Sequence, residues 1–251
     1  MSSYWRKRRV WDRFQEEQDP ILGRIHQGQR AFVINAVAAF AQGRGALAAI
    51  DLGAGTGRIA CDLLMMPQVR ELLAVDINPR ALRKVGAMAA KRGLQTKLRL
   101  RVGDFYRLDW RADEVFDVVL CIDVLHHLPD VALMLEIVCG RMTQDGIFVG
   151  NIRATEKTSL FFNRYGLLKR ALVKLQPTVN RLVPQNSILR QALGDIGYLR
   201  LQTYSRPEVE GLLKRSGFQI CVLNSSHYHT FVCRKAQYAT PLVLSSGLCS
   251  S

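Results

Sequence analysis

Ala46-Leu47-Ala48-Ala49-Ile50-Asp51-Leu52-Gly53-Ala54-Gly55-Thr56-Gly57 is the stretch on which the fold turns. Ala46–Asp51 is a continuous apolar run with a polar end, the pattern of a strand buried on both faces of a parallel sheet. The glycines that follow let the backbone turn tightly and come close to a ligand. A loop of this kind between a strand and a helix lies in the crevice at the carboxyl ends of the strands, where doubly wound sheets bind ligands. Two cofactor classes use such loops. The dinucleotide fingerprint is G-x-G-x-x-G, because the pyrophosphate rests on the helix N-terminus. Counted from Gly53, its third glycine would fall on Arg58. The spacing here is G-x-G-x-G, with an acid on the strand before it.

Outward from this loop the chain alternates strand and helix. Glu71–Asp76 repeats the apolar run with a polar end. Asn78 is placed to cap a helix, Pro79 sits in its first turn and Gly93 ends it. Lys97–Val102, Phe116–Cys121 and Gly146–Asn151 read as further strands, with a helix from Pro129 to about Met142. This alternation predicts an α/β fold with a mostly parallel, doubly wound sheet. Upstream, Phe32, Val33, Ala36, Val37 and Phe40 recur at helical spacing and stop at Gly43. Tyr4, Trp5, Trp11 and Phe14 stud a charged first segment. Downstream, Ser205 and Glu208 form a capping box for a helix ending at Gly217, and Phe218–Leu223 with Tyr228–Cys233 form an antiparallel hairpin. The expected division is a helical N-terminal cap (1–45), a core (46–151), a helical insertion (152–204), a helix and hairpin completing the core (205–235) and a tail (236–251).

The stretch Ala49-Ile50-Asp51-Leu52-Gly53-Ala54-Gly55-Thr56-Gly57 resembles the first motif of the class I S-adenosylmethionine-dependent methyltransferases, and residues 46–151 resemble their Rossmann-like core. The resemblance implies S-adenosylmethionine as cofactor. Asp51, Gly53, Ala54, Gly55 and Gly57 would wrap its methionine end, with Asp51 orienting the amino group. Asp76, beside Ile77 at the end of the second strand, would accept hydrogen bonds from the ribose hydroxyls; an acid before a helix also stabilises that helix. Asp104 would receive the adenine amino group and Phe105 would border the ring; the other reading of Asp104 is a turn aspartate. Cys121 and Ile122 would line the methionine side through their backbones.

Leu125-His126-His127-Leu128-Pro129-Asp130 resembles the small-molecule branch of that superfamily, including the quinone methyltransferases. His126 and His127 are therefore candidates for a general base at the mouth of the site, since imidazole titrates near neutrality. The other reading is that one of them packs and hydrogen-bonds at a helix start. Ile122-Asp123-Val124-Leu125 stands where amino and nucleobase methyltransferases carry Asn/Asp-Pro-Pro-Tyr, which disfavours a nucleobase acceptor. The implied reaction transfers a methyl group to an oxygen or carbon of a small or lipophilic molecule: a quinone or phenol, a polyketide or a lipid intermediate. The alternatives are an RNA methyltransferase and a non-catalytic cofactor-binding partner.

The net charge of +14 is spread along the chain with no long basic tract, so it reads as solvated surface charge rather than as a nucleic-acid site. The six cysteines make no C-x-x-C pair, so no metal site is expected. Arg6-Lys7-Arg8-Arg9 is followed by no apolar stretch, and no apolar run reaches the roughly 20 residues of a membrane span, so a cytoplasmic protein is expected. Phe161, Tyr165, Leu168, Leu172 and Leu175 form one helical stripe flanked by Arg164, Lys169, Arg170 and Lys174. This predicts a lid over a greasy acceptor, with peripheral contact of residues 159–175 with an anionic membrane as the alternative.

Overall fold

The computed structural model describes residues 20–155 and 202–236. The helical stripe from Phe161 to Leu175, the aromatic residues from Tyr4 to Phe14 and nearly all of the tail lie outside the described residues. The elements run α1 (Pro20–Ala41), β1 (Leu47–Leu52), α2 (Ala60–Met65), β2 (Val69–Asp76), α3 (Pro79–Lys91), β3 (Leu98–Val102), β4 (Phe116–Cys121), α4 (Val131–Gly140), β5 (Met142–Arg153), α5 (Arg206–Arg215), β6 (Phe218–Ser225) and β7 (Tyr228–Lys235). One seven-stranded sheet has the order β3-β2-β1-β4-β5-β7-β6. The first five strands are parallel to one another, and β7 is antiparallel to both β5 and β6. The α/β doubly wound sheet with a terminal antiparallel hairpin is the one the sequence predicts.

Side chains alternate across a strand, so each central strand feeds two cores. In β1, Leu47 and Ala49 pack with Val33, Val37, Leu63 and Val85 of the helices α1 to α3. Ala48, Ile50 and Leu52 point the other way, into a core with Met134, Leu135 and Val138 of α4 and Val209 and Leu213 of α5. Burial on both faces is why β1 and β4 read as near-continuous apolar runs. β1, β2 and β3 are added in one direction across the sheet and β4 and β5 in the other, so the strand order reverses between β1 and β4, and this switch point sets the crevice.

Local signals hold where backbone chemistry fixes them. Asn78 caps α3, its side chain accepting from the backbone N–H groups of Arg80 at 3.0 Å and Ala81 at 3.3 Å. Glu208 reaches back to the Ser205 backbone N–H at 2.7 Å. Two boundaries differ from expectation. Leu125–His127 forms a separate 3-10 turn, and the following helix starts at Val131 because the Asp130 side chain accepts from the Leu133 N–H at 3.0 Å. β5 begins at Met142, where the helix was expected to end, and runs on to Arg153. Its polar start, Thr143-Gln144-Asp145, conceals the strand in the sequence, and pairing with β7 through Arg153 extends its far end. Among the described residues, no helix is long and apolar enough to cross a membrane.

Candidate active site

The glycine loop is held to the neighbouring strand by its backbone. The N–H groups of Gly53 and Ala54 donate to the Val75 carbonyl at 2.8 and 3.1 Å. Gly53 adopts φ +83°, and a Cβ there would come within 2.2 Å of a Val124 methyl carbon. Gly57, at φ +87°, would bring a Cβ to 3.1 Å from Val85. Both backbone hand and space therefore require glycine at Gly53. The Gly55 N–H donates to one oxygen of Asp76 at 2.9 Å, and the Asn78 N–H donates to the other at 2.8 Å. Asp76 thus ties the glycine loop to the start of α3.

The sequence-predicted acids stand at the carboxyl ends of adjacent strands: Asp51 in β1, Asp76 at the end of β2 and Asp104 just beyond β3. Asp51 is 4% exposed. Burial pushes its pKa up to about 7, the Asp76 charge adds to the rise, and Arg58 opposes it. Burial also raises the Asp76 carboxyl, against the backbone N–H groups of Asn78, Gly55 and Ile77. Such a pair favours a ligand that brings positive charge or hydroxyl donors. Asp104 accepts from the Tyr106 N–H at 3.2 Å, so the turn role holds for one of its oxygens. Phe105 is buried beside it. Cys121 and Ile122 are buried at the end of β4, with burial raising the Cys121 thiol well above its ordinary value.

The histidines do not both stand at the mouth of this crevice. His126 is 2% exposed, and burial, with Arg153 adding to it, pushes its pKa down to about 3. Its Nδ1 has no hydrogen-bond partner among the described residues. His127 is partly exposed, its ring 4.2 Å from that of His126.

Sequence reasoning missed a polar hub at Asp123. This residue, directly after Ile122, takes φ +59°, a left-handed conformation uncommon outside glycine. Its carboxylate accepts from Gln29 Nε2 of α1 at 3.0 Å, from Arg58 Nη2 at 2.9 Å and from Asn151 Nδ2 of β5 at 2.9 Å. The Asp123 N–H donates to Asn151 Oδ1 at 2.7 Å, and His26 Nε2 lies 3.9 Å from the carboxylate. The sequence carried no local signal for this hub, because its members lie far apart in the chain: Gln29 and Asp123 alone are 94 positions apart.

Residues 44–194, more than half of the chain, match the family described as methyltransferase domain. The chain belongs to that family. A stretch of 100 residues is 30% identical to the uncharacterized methyltransferase YcgJ of Bacillus subtilis (strain 168), covering 40% of this chain and 38% of that protein. The match thus spans less than half the length of that curated relative. Among solved structures, the methyltransferase-domain chain resembles an S-adenosylmethionine-dependent methyltransferase from Clostridium acetobutylicum at a TM-score of 0.59 and 15% identity, covering 90% of this chain and 96% of that one. It equally resembles magnesium protoporphyrin IX methyltransferase from Synechocystis, solved with bound S-adenosylhomocysteine, at a TM-score of 0.59 and 15% identity, covering 89% and 90%. At such identities these two likenesses speak for the shared fold.

Proposed function

We propose that this protein is an S-adenosylmethionine-dependent methyltransferase whose acceptor is a small or lipophilic molecule, methylated on oxygen or carbon. The observation that carries the reading is the pair of carboxylates, buried Asp51 and half-buried Asp76, on either side of a glycine loop pinned to β2. The residues fit the cofactor's chemistry. Asp51 would pair with its ammonium, and the two oxygens of Asp76 would accept from its ribose hydroxyls. Phe105 would border the adenine with Asp104 at its amino edge, and the backbones of Cys121 and Ile122 would follow the methionine chain. When bound, S-adenosylmethionine supplies an activated methyl group on a sulfonium. What remains for the chain is to hold the acceptor in line and exclude water. A buried His126 titrating near 3 is poorly suited to taking a proton at neutral pH, which favours proximity over general-base help from that residue. Acceptor choice falls, on this reading, to residues 152–204 and to the side chains beyond β4.

Calorimetric titration tests the core of the proposal. Adenosylhomocysteine should bind the isolated protein and NAD should not. Binding of NAD without adenosylhomocysteine would overturn the reading. Release of adenosylhomocysteine with a panel of phenolic and quinol acceptors then tests the acceptor class.

A further inference from the structure

Tyr228 opens β7 and pairs with Arg153 at the carboxyl end of β5. The Arg153 guanidinium carbon lies 5.9 Å from the centre of its ring, and the ring of His126 lies 5.6 Å away. His127 continues this wall of rings at 4.2 Å from His126. Two polar groups belong to the wall. One is His126 Nδ1, which is buried and has no partner among the described residues. The other is the Tyr228 hydroxyl, on the ring that makes the contacts above. Buried polar groups in folded proteins are nearly always paired, so the orphaned His126 Nδ1 points to a ligand that completes the wall.

The wall stands beyond the carboxyl ends of β4 and β5, on the same side of the sheet as the crevice. Burial raises the Tyr228 phenol above its ordinary value, the Asp123 charge raises it further, and Arg153 and Arg58 oppose the rise. The charges felt at Tyr228 therefore come from the end of β4, the end of β5 and the glycine loop. A phenol so perturbed stays protonated at neutral pH and remains a hydrogen-bond donor. His126 stays neutral and offers a hydrogen-bonding nitrogen rather than a proton sink.

We infer that the Tyr228 hydroxyl holds an oxygen of the acceptor, with neutral His126 as the second polar contact of the same subsite. The inference rests on the methyltransferase reading and adds the residues that orient the acceptor. A ring wall with two polar atoms suits a flat molecule carrying one oxygen function.

The test uses the full chain saturated with adenosylhomocysteine. Its probes are 1-naphthol and naphthalene, which differ by the oxygen. The wild type should bind 1-naphthol about tenfold more tightly than naphthalene. Tyr228→Phe keeps the ring, and it should remove most of that preference while naphthalene and adenosylhomocysteine bind as before. A role in packing alone would shift both probes together. The inference is overturned if Tyr228→Phe keeps the wild-type preference, or if the wild type shows no preference or binds neither probe. The wild-type comparison stands even if the variant fails to fold. Failure of adenosylhomocysteine to bind the wild type is a different result: it would remove the methyltransferase reading itself.

Discussion

The two sides of the crevice are built by different means. On the β1–β3 side, the loop is shaped by backbone: N–H groups of Gly53, Ala54 and Gly55 donate to the next strand or its terminal acid, and neighbouring carboxylates stand at strand ends. On the β4–β7 side, long-range side-chain contacts prevail. Gln29 and Asn151 meet Arg58 and Asp123 from two elements and two loops, and the rings of His126 and Tyr228 close the wall. A backbone-built site tolerates few residue types at each position, whereas a side-chain cluster can change its members without disturbing the sheet. On the proposed reading, this is the division expected between a fixed cofactor and a variable acceptor.

The comparison breaks most easily at Gly53. Gly53→Ala combines a left-handed φ with a near-overlap on Val124. Strain and overpacking together should cost roughly 2–6 kcal/mol of stability, read from urea unfolding. Adenosylhomocysteine binding should be lost in whatever fraction stays folded. An unchanged unfolding midpoint would show that the loop is far softer than its backbone suggests. Asp76→Ala comes next. It removes an acceptor for two backbone N–H groups and, on the proposed reading, for the ribose hydroxyls. Hydrogen bonds to a charged group contribute about 1.5–3 kcal/mol each, so affinity for adenosylhomocysteine should fall about a hundredfold or more. Wild-type affinity in the folded variant would reject the ribose role.

Asp51 sharpens the comparison through pH. Its folded pKa of about 7 lies above the ordinary 3.8. A raised carboxyl pKa means the folded state holds the proton more tightly, so this group's contribution to stability is present below pH 4 and is lost as pH rises through 7. Asp51→Asn should therefore stabilise the ligand-free protein at pH 8, by up to a few kcal/mol, and have little effect below pH 4. Adenosylhomocysteine should show the reverse preference, because its ammonium pairs with the ionised form. Its affinity should fall up to about tenfold per unit below pH 7, and Asp51→Asn should flatten that slope. The same slope in wild type and variant would assign the titration to another group.

The contrast between the two sides also explains what could be read in advance. The strand–loop–helix rhythm, the G-x-G-x-G spacing and the acids Asp51, Asp76 and Asp104 are local patterns, each fixed by backbone demands within a few residues. They therefore survive in the linear sequence. β5 was read too short because Thr143-Gln144-Asp145 is polar, and its start depends on pairing with Phe116 rather than on propensity. His126 was expected at the mouth because imidazole chemistry invites it, but a 3-10 turn buries it. Asp123 and Tyr228 were invisible as functional residues. Their partners lie far away in the chain, and a lone aspartate or tyrosine carries no spacing to recognise.

The smallest expected effect is the most discriminating, because it falls on the hub between the two sides. Asp123→Asn keeps a residue type that accepts the left-handed φ of 59° and keeps one oxygen for Gln29 or Asn151. It removes the charge that Arg58 meets at 2.9 Å, on a carboxylate with 15% side-chain exposure. Losing one charge-assisted hydrogen bond at a partly exposed site should cost about 1–2 kcal/mol in urea unfolding. Asp123→Ala should cost about 1 kcal/mol more, since alanine tolerates the left-handed region poorly. Adenosylhomocysteine affinity should change less than about threefold in Asp123→Asn, because the proposed cofactor contacts stand on β1–β3 and on backbone atoms. Should that affinity fall as far as in Asp76→Ala, the hub belongs to cofactor binding and the two sides are one site. Should stability stay at the wild-type value, the convergence of Gln29, Arg58 and Asn151 on this carboxylate contributes nothing to the fold, and its left-handed backbone must be held by the turn alone.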